Sequence, residues 1–251
     1  MSTRAETNSA VLTVAPPGRF RVFRNRLIFR GMLFVCGAIA IGMYRISKPL
    51  TWRWAKLQAR NLIRLCGVRV HVHGLERLGR GPYIFAPNHQ SHFDIAALLG
   101  YLPGTVRFAA KREMFAEPIL GVVLRTMGMV PVDRDDSPAS IERLNRLKLE
   151  GFSLVIFPEG TRSPDGQLLA FKKGAFVAAI QLGVPIVPVV CKGTTRIMPK
   201  GKYLSILPGD ADIVVLDPIP TAGMGYDDRD ALRDEVRRRI EAELYEADSL
   251  P

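Results

Sequence analysis

From residue 68 onward, short runs of β-branched and apolar residues recur between stretches of helical periodicity. VRVHVH (68–73), PYIFAP (82–87), VRFAA (106–110), SLVIFP (153–158), PIVPVV (185–190) and ADIVVL (211–216) read as strands. Helical patterns fill the intervals near 93–101, 113–127, 138–150 and 173–182, and a charged helix runs from about 227 to 246. Strands alternating with helices pack as a sheet covered by helices, so the expected class is α/β, a mixed sheet flanked by helices. Chemistry in such folds gathers where strands end.

Charge divides the chain differently. Residues 1–75 hold 13 Lys/Arg and one acid, Glu6, for a net +12. The remainder holds 22 Lys/Arg against 23 Asp/Glu, for a net −1. A uniformly basic nucleic-acid binder is not built this way, so no nucleic acid is expected as partner. An apolar content of 47% excludes a disordered chain. Residues 1–18 read as a flexible leader, and no secretory signal is apparent because the first apolar run lies behind arginines.

The uncharged stretch GMLFVCGAIAIGMY (31–44) is shorter than the ~20 residues that cross a bilayer. Basic residues flank it on both sides, whereas a span carries its excess on one. TWRWAKLQARNLIRLCG (51–67) sets Arg53, Lys56, Arg60 and Arg64 on one helical stripe, with Trp52 and Trp54 as interfacial residues. Residues 19–66 are therefore expected to form a two-helix membrane anchor, broken near Lys48-Pro49, that enters one leaflet of an anionic bilayer without crossing. Residues 67–251 form the remaining domain.

Cys36, Cys66 and Cys191 are scattered without ligand spacing and read as buried apolar residues in a reducing compartment. His71 and His73 fall on the strand face opposite Val68, Val70 and Val72, as surface residues. No metal site is expected.

The polar stretch NHQSHFD (88–94) follows the apolar run YIFAP. With His89 at a strand end and Asp94 in the next helix's first turn, the carboxylate can meet one imidazole nitrogen and leave the other free as a base. An alternative reading makes Asp94 a helix cap beside a surface histidine. Lys111 in AKREMF, Arg134 in GMVPVDR and Arg162 in FPEGTRS all follow apolar segments. Three cations at strand ends beside a histidine read as a pocket for a dianionic phosphate.

NHQSHFD, GMVPVDR, FPEGTRS and VPIVPV (184–189), in this order and spacing, resemble the four sequence blocks of the glycerolipid acyltransferases. The resemblance covers roughly residues 60–220, and the second block departs from it at Pro131. It implies acyl transfer from acyl-CoA or acyl-carrier protein to the sn-2 hydroxyl of 1-acyl-glycerol-3-phosphate, giving phosphatidic acid. The residue matching His89 would deprotonate that hydroxyl and Asp94 would orient it. Glu159, Gly160, Thr161 and Arg162, with Arg134, would bind the glycerophosphate, and Lys111 would add charge. Lys172 and Lys173 would meet a phosphate of the donor. No cofactor is implied beyond the donor itself. The implied location is the cytosolic face of a membrane, with the lipid substrate, the anionic bilayer and acyl-carrier protein as partners.

The same blocks fit a related enzyme acting on glycerol-3-phosphate, an amino-acid lipid or another lysophospholipid. A membrane-bound serine hydrolase using Ser91 or Ser163 is a reading from another class, although neither serine lies in G-x-S-x-G. An anionic-lipid-binding protein without catalysis is the third.

Overall fold

The computed structural model of the chain describes residues 19–118, 120–132, 149–199 and 206–246. The strands are β1 (Val68–His73), β2 (Ile84–Pro87), β3 (Val106–Lys111), β4 (Val130–Val132), β5 (Ser153–Val155), β6 (Ile186–Lys192) and β7 (Gly209–Val215). The helices are α1 (Arg19–Ile46), α2 (Lys48–Leu65), α3 (Phe93–Tyr101), α4 (Leu120–Thr126), α5 (Gly174–Leu182), α6 (Thr194–Ile197) and α7 (Arg229–Glu246). All seven strands join one sheet, ordered β1-β7-β6-β2-β5-β3-β4. Among the named strands of the described residues, only the β6–β7 pair is antiparallel. The expected α/β class with a mixed sheet is the observed one.

Burial follows position in the sheet. Central β2 is buried at all four residues, as a strand covered on both faces must be. Phe85 points to the side packed by Ile63, Phe93, Leu98 and Leu102, whereas Ile84 and Ala86 point to the side packed by Phe176, Val236 and Ile240. Edge strand β1 alternates instead, with Val68 buried and Arg69, His71 and His73 exposed. These outward residues pair with Asp210 and Asp212 on β7, at 2.8 Å for Arg69, 3.2 Å for His71 and 3.1 Å for His73. The expected helix at 113–127 is divided into a short 3-10 turn, Arg112–Phe115, and α4. The one expected near 138–150 falls almost wholly outside the described residues.

α1 and α2 form a hairpin joined at Ser47, whose side chain accepts from Leu50 N at 3.4 Å, with Pro49 in the first turn of α2. The hairpin is fastened to the domain at two points along α1. Near the start, fully buried Asn25 donates through Nδ2 to Cys66 O at 3.0 Å and Ile206 O at 2.8 Å. Near the end, Ala40 packs with Trp52 and Met127. The outer face of α1 exposes Phe20, Phe23, Leu27, Val35, Ile39 and Ile46. By length and composition, Phe20–Ile46 is a helix able to cross a membrane.

The basic stripe of α2 does not all face outward. Lys56 Nζ donates to Leu102 O and, at 2.8 Å, to Gly104 O, and Arg60 Nε donates to Gly100 O at 2.7 Å. Both cations therefore sit at the carbonyl end of α3, where the helix dipole favours them. Burial, with Arg60 beside it, pulls the Lys56 ammonium down to about 8. Arg53 and Arg64 remain exposed. Trp52 is buried in the protein, so its place is not an interfacial one.

Candidate active site

β2, β5 and β3 run parallel, so their C-terminal ends lie at one edge. His89 leaves the end of β2, FPEGTRS leaves β5, and Lys111 is the half-buried last residue of β3. The backbone turn that presents His89 is seated by Asn88. Its amide accepts from Cys191 N at 2.7 Å and donates to Cys191 O at 3.1 Å, occupying both polar groups of a residue on β6.

The His89 Nδ1 lies 2.9 Å from Asp94 Oδ2, and Asp94 is fully buried in the first turn of α3. The same Oδ2 accepts from Gln90 N and Ser91 N, each at 2.8 Å. Asp94 thus fixes the turn and the imidazole with one oxygen; it does not cap α3, whose N-cap is His92, and His89 is buried rather than a surface histidine. A carboxylate acceptor places the proton on Nδ1 and leaves the Nε2 lone pair free. Phe157 stacks on the imidazole with ring centroids 3.9 Å apart and holds its plane.

Glu159 is turned inward. Its Oε1 accepts from His89 N at 2.7 Å and its Oε2 from Leu169 N at 3.1 Å, with 4% of the residue exposed. Burial outweighs these bonds and pushes the carboxyl up to about 7. Next to it, Gly160 has φ +65, and a Cβ there would lie 3.3 Å from the Lys172 stem. The left-handed backbone conformation calls for glycine. Thr161 is exposed and Arg162 half-buried. Ser163 N donates to His89 O at 2.8 Å, closing the second loop against the first.

His92 is half-buried, and its imidazole is held down to about 4 by burial, then by Arg162 and by His89, with Asp94 opposing. Arg162 is therefore within electrostatic reach of His92. Lys173 pairs with Asp230 at 3.2 Å, whereas Lys172 passes over Gly160. Arg134 lies outside the described residues, two positions after the end of β4. Among the described residues no group of three His, Cys, Asp or Glu side chains is placed to hold a metal.

Both candidate serines are engaged in turns. Ser91 Oγ donates to Met198 O and accepts from Phe93 N, at 2.9 and 3.1 Å. Ser163 Oγ donates to Asp165 Oδ1 and accepts from Gly166 N, each at 2.9 Å. Their residues are 0% and 1% exposed, which leaves neither placed as a nucleophile.

Sequence reasoning missed Asn88 and Phe157. An apolar residue two positions before an acidic one gives no sign that it will stack on a ring from another strand. Asn88 beside a histidine at a strand end was the one available signal.

The Acyltransferase family profile matches residues 69–192. Human 1-acyl-sn-glycerol-3-phosphate acyltransferase beta is 33% identical over 191 residues, covering 74% of this chain and 68% of that protein. The chain belongs to the acyltransferase family. Another relative, the chloroplastic 1-acyl-sn-glycerol-3-phosphate acyltransferase BAT2 of Brassica napus, is 39% identical over 68% of this chain. The chain spans about half the length of the chloroplastic relatives it matches, 50% and 48%. The fold agrees with the crystal structure of the 1-acyl-sn-glycerophosphate acyltransferase PlsC from Thermotoga maritima. That match has a TM-score of 0.77 at 25% identity and covers 92% of this chain and 98% of the other. Within this family frame, the seated and oriented His89 is the group suited to take a proton from a hydroxyl.

Proposed function

We propose that the chain transfers an acyl group from an acyl thioester to the sn-2 hydroxyl of 1-acyl-glycerol-3-phosphate, forming phosphatidic acid. The single observation that carries this is the His89 Nδ1–Asp94 Oδ2 contact of 2.9 Å, which orients the ring so that Nε2 is the nitrogen left to act as base at the strand-end edge. His89 takes the hydroxyl proton as the oxygen attacks the thioester carbonyl. The carbon–sulfur bond breaks, and the imidazolium returns the proton to the departing thiolate. Asp94 stabilises the imidazolium between these steps. Arg162, with Arg134 and Lys111, meets the phosphate of the acceptor. No acyl-enzyme forms, which accords with both serines being held in turns.

The donor is acyl-CoA or acyl-carrier protein, and no cofactor takes part. Both donors are cytosolic, which puts the domain on the cytosolic face. The placement of α1 supports a protein bound to one leaflet. Asn25 and Ala40 are fifteen residues apart, or about 22 Å of helix, and both are packed on the same body. Its outer residues, from Phe20 to Ile46, would face acyl chains.

The test is incubation of purified protein with lysophosphatidate, glycerol-3-phosphate, other lysolipids and acyl-CoA, followed by mass analysis of products. Phosphatidic acid as the dominant product is expected; acylation of glycerol-3-phosphate or another acceptor in its place would replace the substrate assignment.

A further inference from the structure

We propose that the C-terminal helix α7 positions His89, with Arg237 and Tyr245 acting through the loop 163–171 and Glu159; the proposal rests on the acyl-transfer reading above. Both residues lie beyond the segment that the family profile matches, 69–192.

The path is a set of hydrogen bonds. Arg237 Nη1 donates to Leu169 O at 2.5 Å, and Leu169 N donates to Glu159 Oε2 at 3.1 Å. One peptide segment is thus held from α7 on one side and handed to Glu159 on the other. Glu159 completes the path by accepting from His89 N at 2.7 Å. Tyr245 adds a second grip: its hydroxyl accepts from Leu168 N at 3.0 Å and donates to Gln167 Oε1 at 3.1 Å. A separate bond closes the loop against the catalytic turn, from Gln90 Nε2 to Gly166 O at 2.9 Å. The Arg237 guanidinium also lies 5.4 Å from the Phe171 ring and pairs with Glu241 at 2.6 Å. A base held through its own backbone N–H moves if that acceptor moves, and small displacements of a catalytic group are costly.

The charged and titratable groups around Glu159 are His89, whose backbone N–H it accepts, Asp94 from α3, Cys191 from β6, Arg237 from α7 and the Lys172 stem over Gly160. Of these, Arg237 draws the carboxyl down, against burial and Asp94, which hold it up. Ionised Glu159 accepts both N–H groups, whereas its protonated form gives up part of that capacity. Removing the Arg237 charge therefore raises the pH at which the turn loosens.

The experiment compares Arg237→Gln, Arg237→Lys and Tyr245→Phe with the unaltered full-length chain in steady-state transfer to lysophosphatidate across pH 5.5 to 9. Arg237→Gln is expected to lower kcat at neutral pH roughly ten- to hundredfold and to move the acidic limb upward, with the KM for acyl-CoA unchanged. Arg237→Lys should restore the limb, and Tyr245→Phe should lower kcat without moving it. A second readout needs no turnover: the Glu159 titration by NMR on 13C-glutamate-labelled protein, its signal assigned by loss in Glu159→Gln. That titration should rise in Arg237→Gln alone. Unchanged kcat and titration in Arg237→Gln, or a loss confined to KM, would overturn the proposal. Lack of transfer by the unaltered chain would sink the functional reading instead, and the titration would then decide the coupling by itself.

Discussion

Asp94 Oδ2 accepts from the imidazole and from two backbone N–H groups at 2.8 to 2.9 Å, so its charge and its geometry are separable. In Asp94→Asn the amide oxygen can take the place of Oδ2 and keep the turn. Turnover should still fall about a hundredfold or more, because the imidazolium loses its counter-charge. Asp94→Ala should also lose stability, since two buried N–H groups then lack an acceptor at about 1–3 kcal/mol each. Thermal unfolding of the two variants beside their kcat separates the effects; equal loss of stability in both would contradict it. His92 and Glu159 give a second residue-scale prediction. Folding lowers His92 from 6.5 to about 4, so only the unfolded chain holds that proton across this window, and stability rises with pH there. Folding raises Glu159 from 4.5 to about 7, so the folded chain holds the extra proton, and stability falls as pH rises through that window. The slopes oppose each other between the ordinary carboxyl value of 4.5 and the ordinary imidazole value of 6.5. His92→Gln should expose the Glu159 slope, with denaturation midpoints falling more steeply from pH 4.5 to 6.5 than in the unaltered chain. Parallel profiles would contradict this.

At the scale of elements, α2 does two things with one row of cations. Lys56 and Arg60 close the carbonyl end of α3, the helix whose first turn carries Asp94. Arg60→Met should therefore destabilise the domain by about 1–3 kcal/mol, the range for a buried polar group left without a partner, and urea denaturation checks it. No change in the midpoint would return Arg60 to the solvent. Helical spacing in the sequence placed these residues on one stripe but carries no information about what faces the stripe. β1 and α3 were legible to the residue, because alternation and apolar periodicity reflect burial directly. β4 was read only as an apolar block, since three residues paired on one side leave too short a pattern to register as a strand. The His89–Asp94 pair was legible because a turn of five residues brings them together. The inward Glu159 was not: its partners are backbone N–H groups, which every residue type supplies.

Taken as a whole molecule, the chain joins a neutral domain to a basic hairpin whose α1 exposes Phe20, Phe23, Leu27, Val35, Ile39 and Ile46. Single-cysteine variants at Asn8 and Lys48, in a background lacking Cys36, Cys66 and Cys191, test how that hairpin sits. An impermeant thiol reagent applied from outside intact cells should label neither, and both should react from the cytosolic side. Labelling of position 8 from outside would show a crossing helix. The proposed transfer requires the lysolipid and the base to meet at a membrane face. The direct measurement is the rate of phosphatidic acid formation from acyl-CoA and bilayer-borne lysophosphatidate, by the unaltered chain and by His89→Ala. Removing the base should slow turnover roughly a hundred- to ten-thousandfold, with unchanged membrane binding and thermal stability within a few degrees. Near-normal kcat in His89→Ala would contradict general-base transfer by His89.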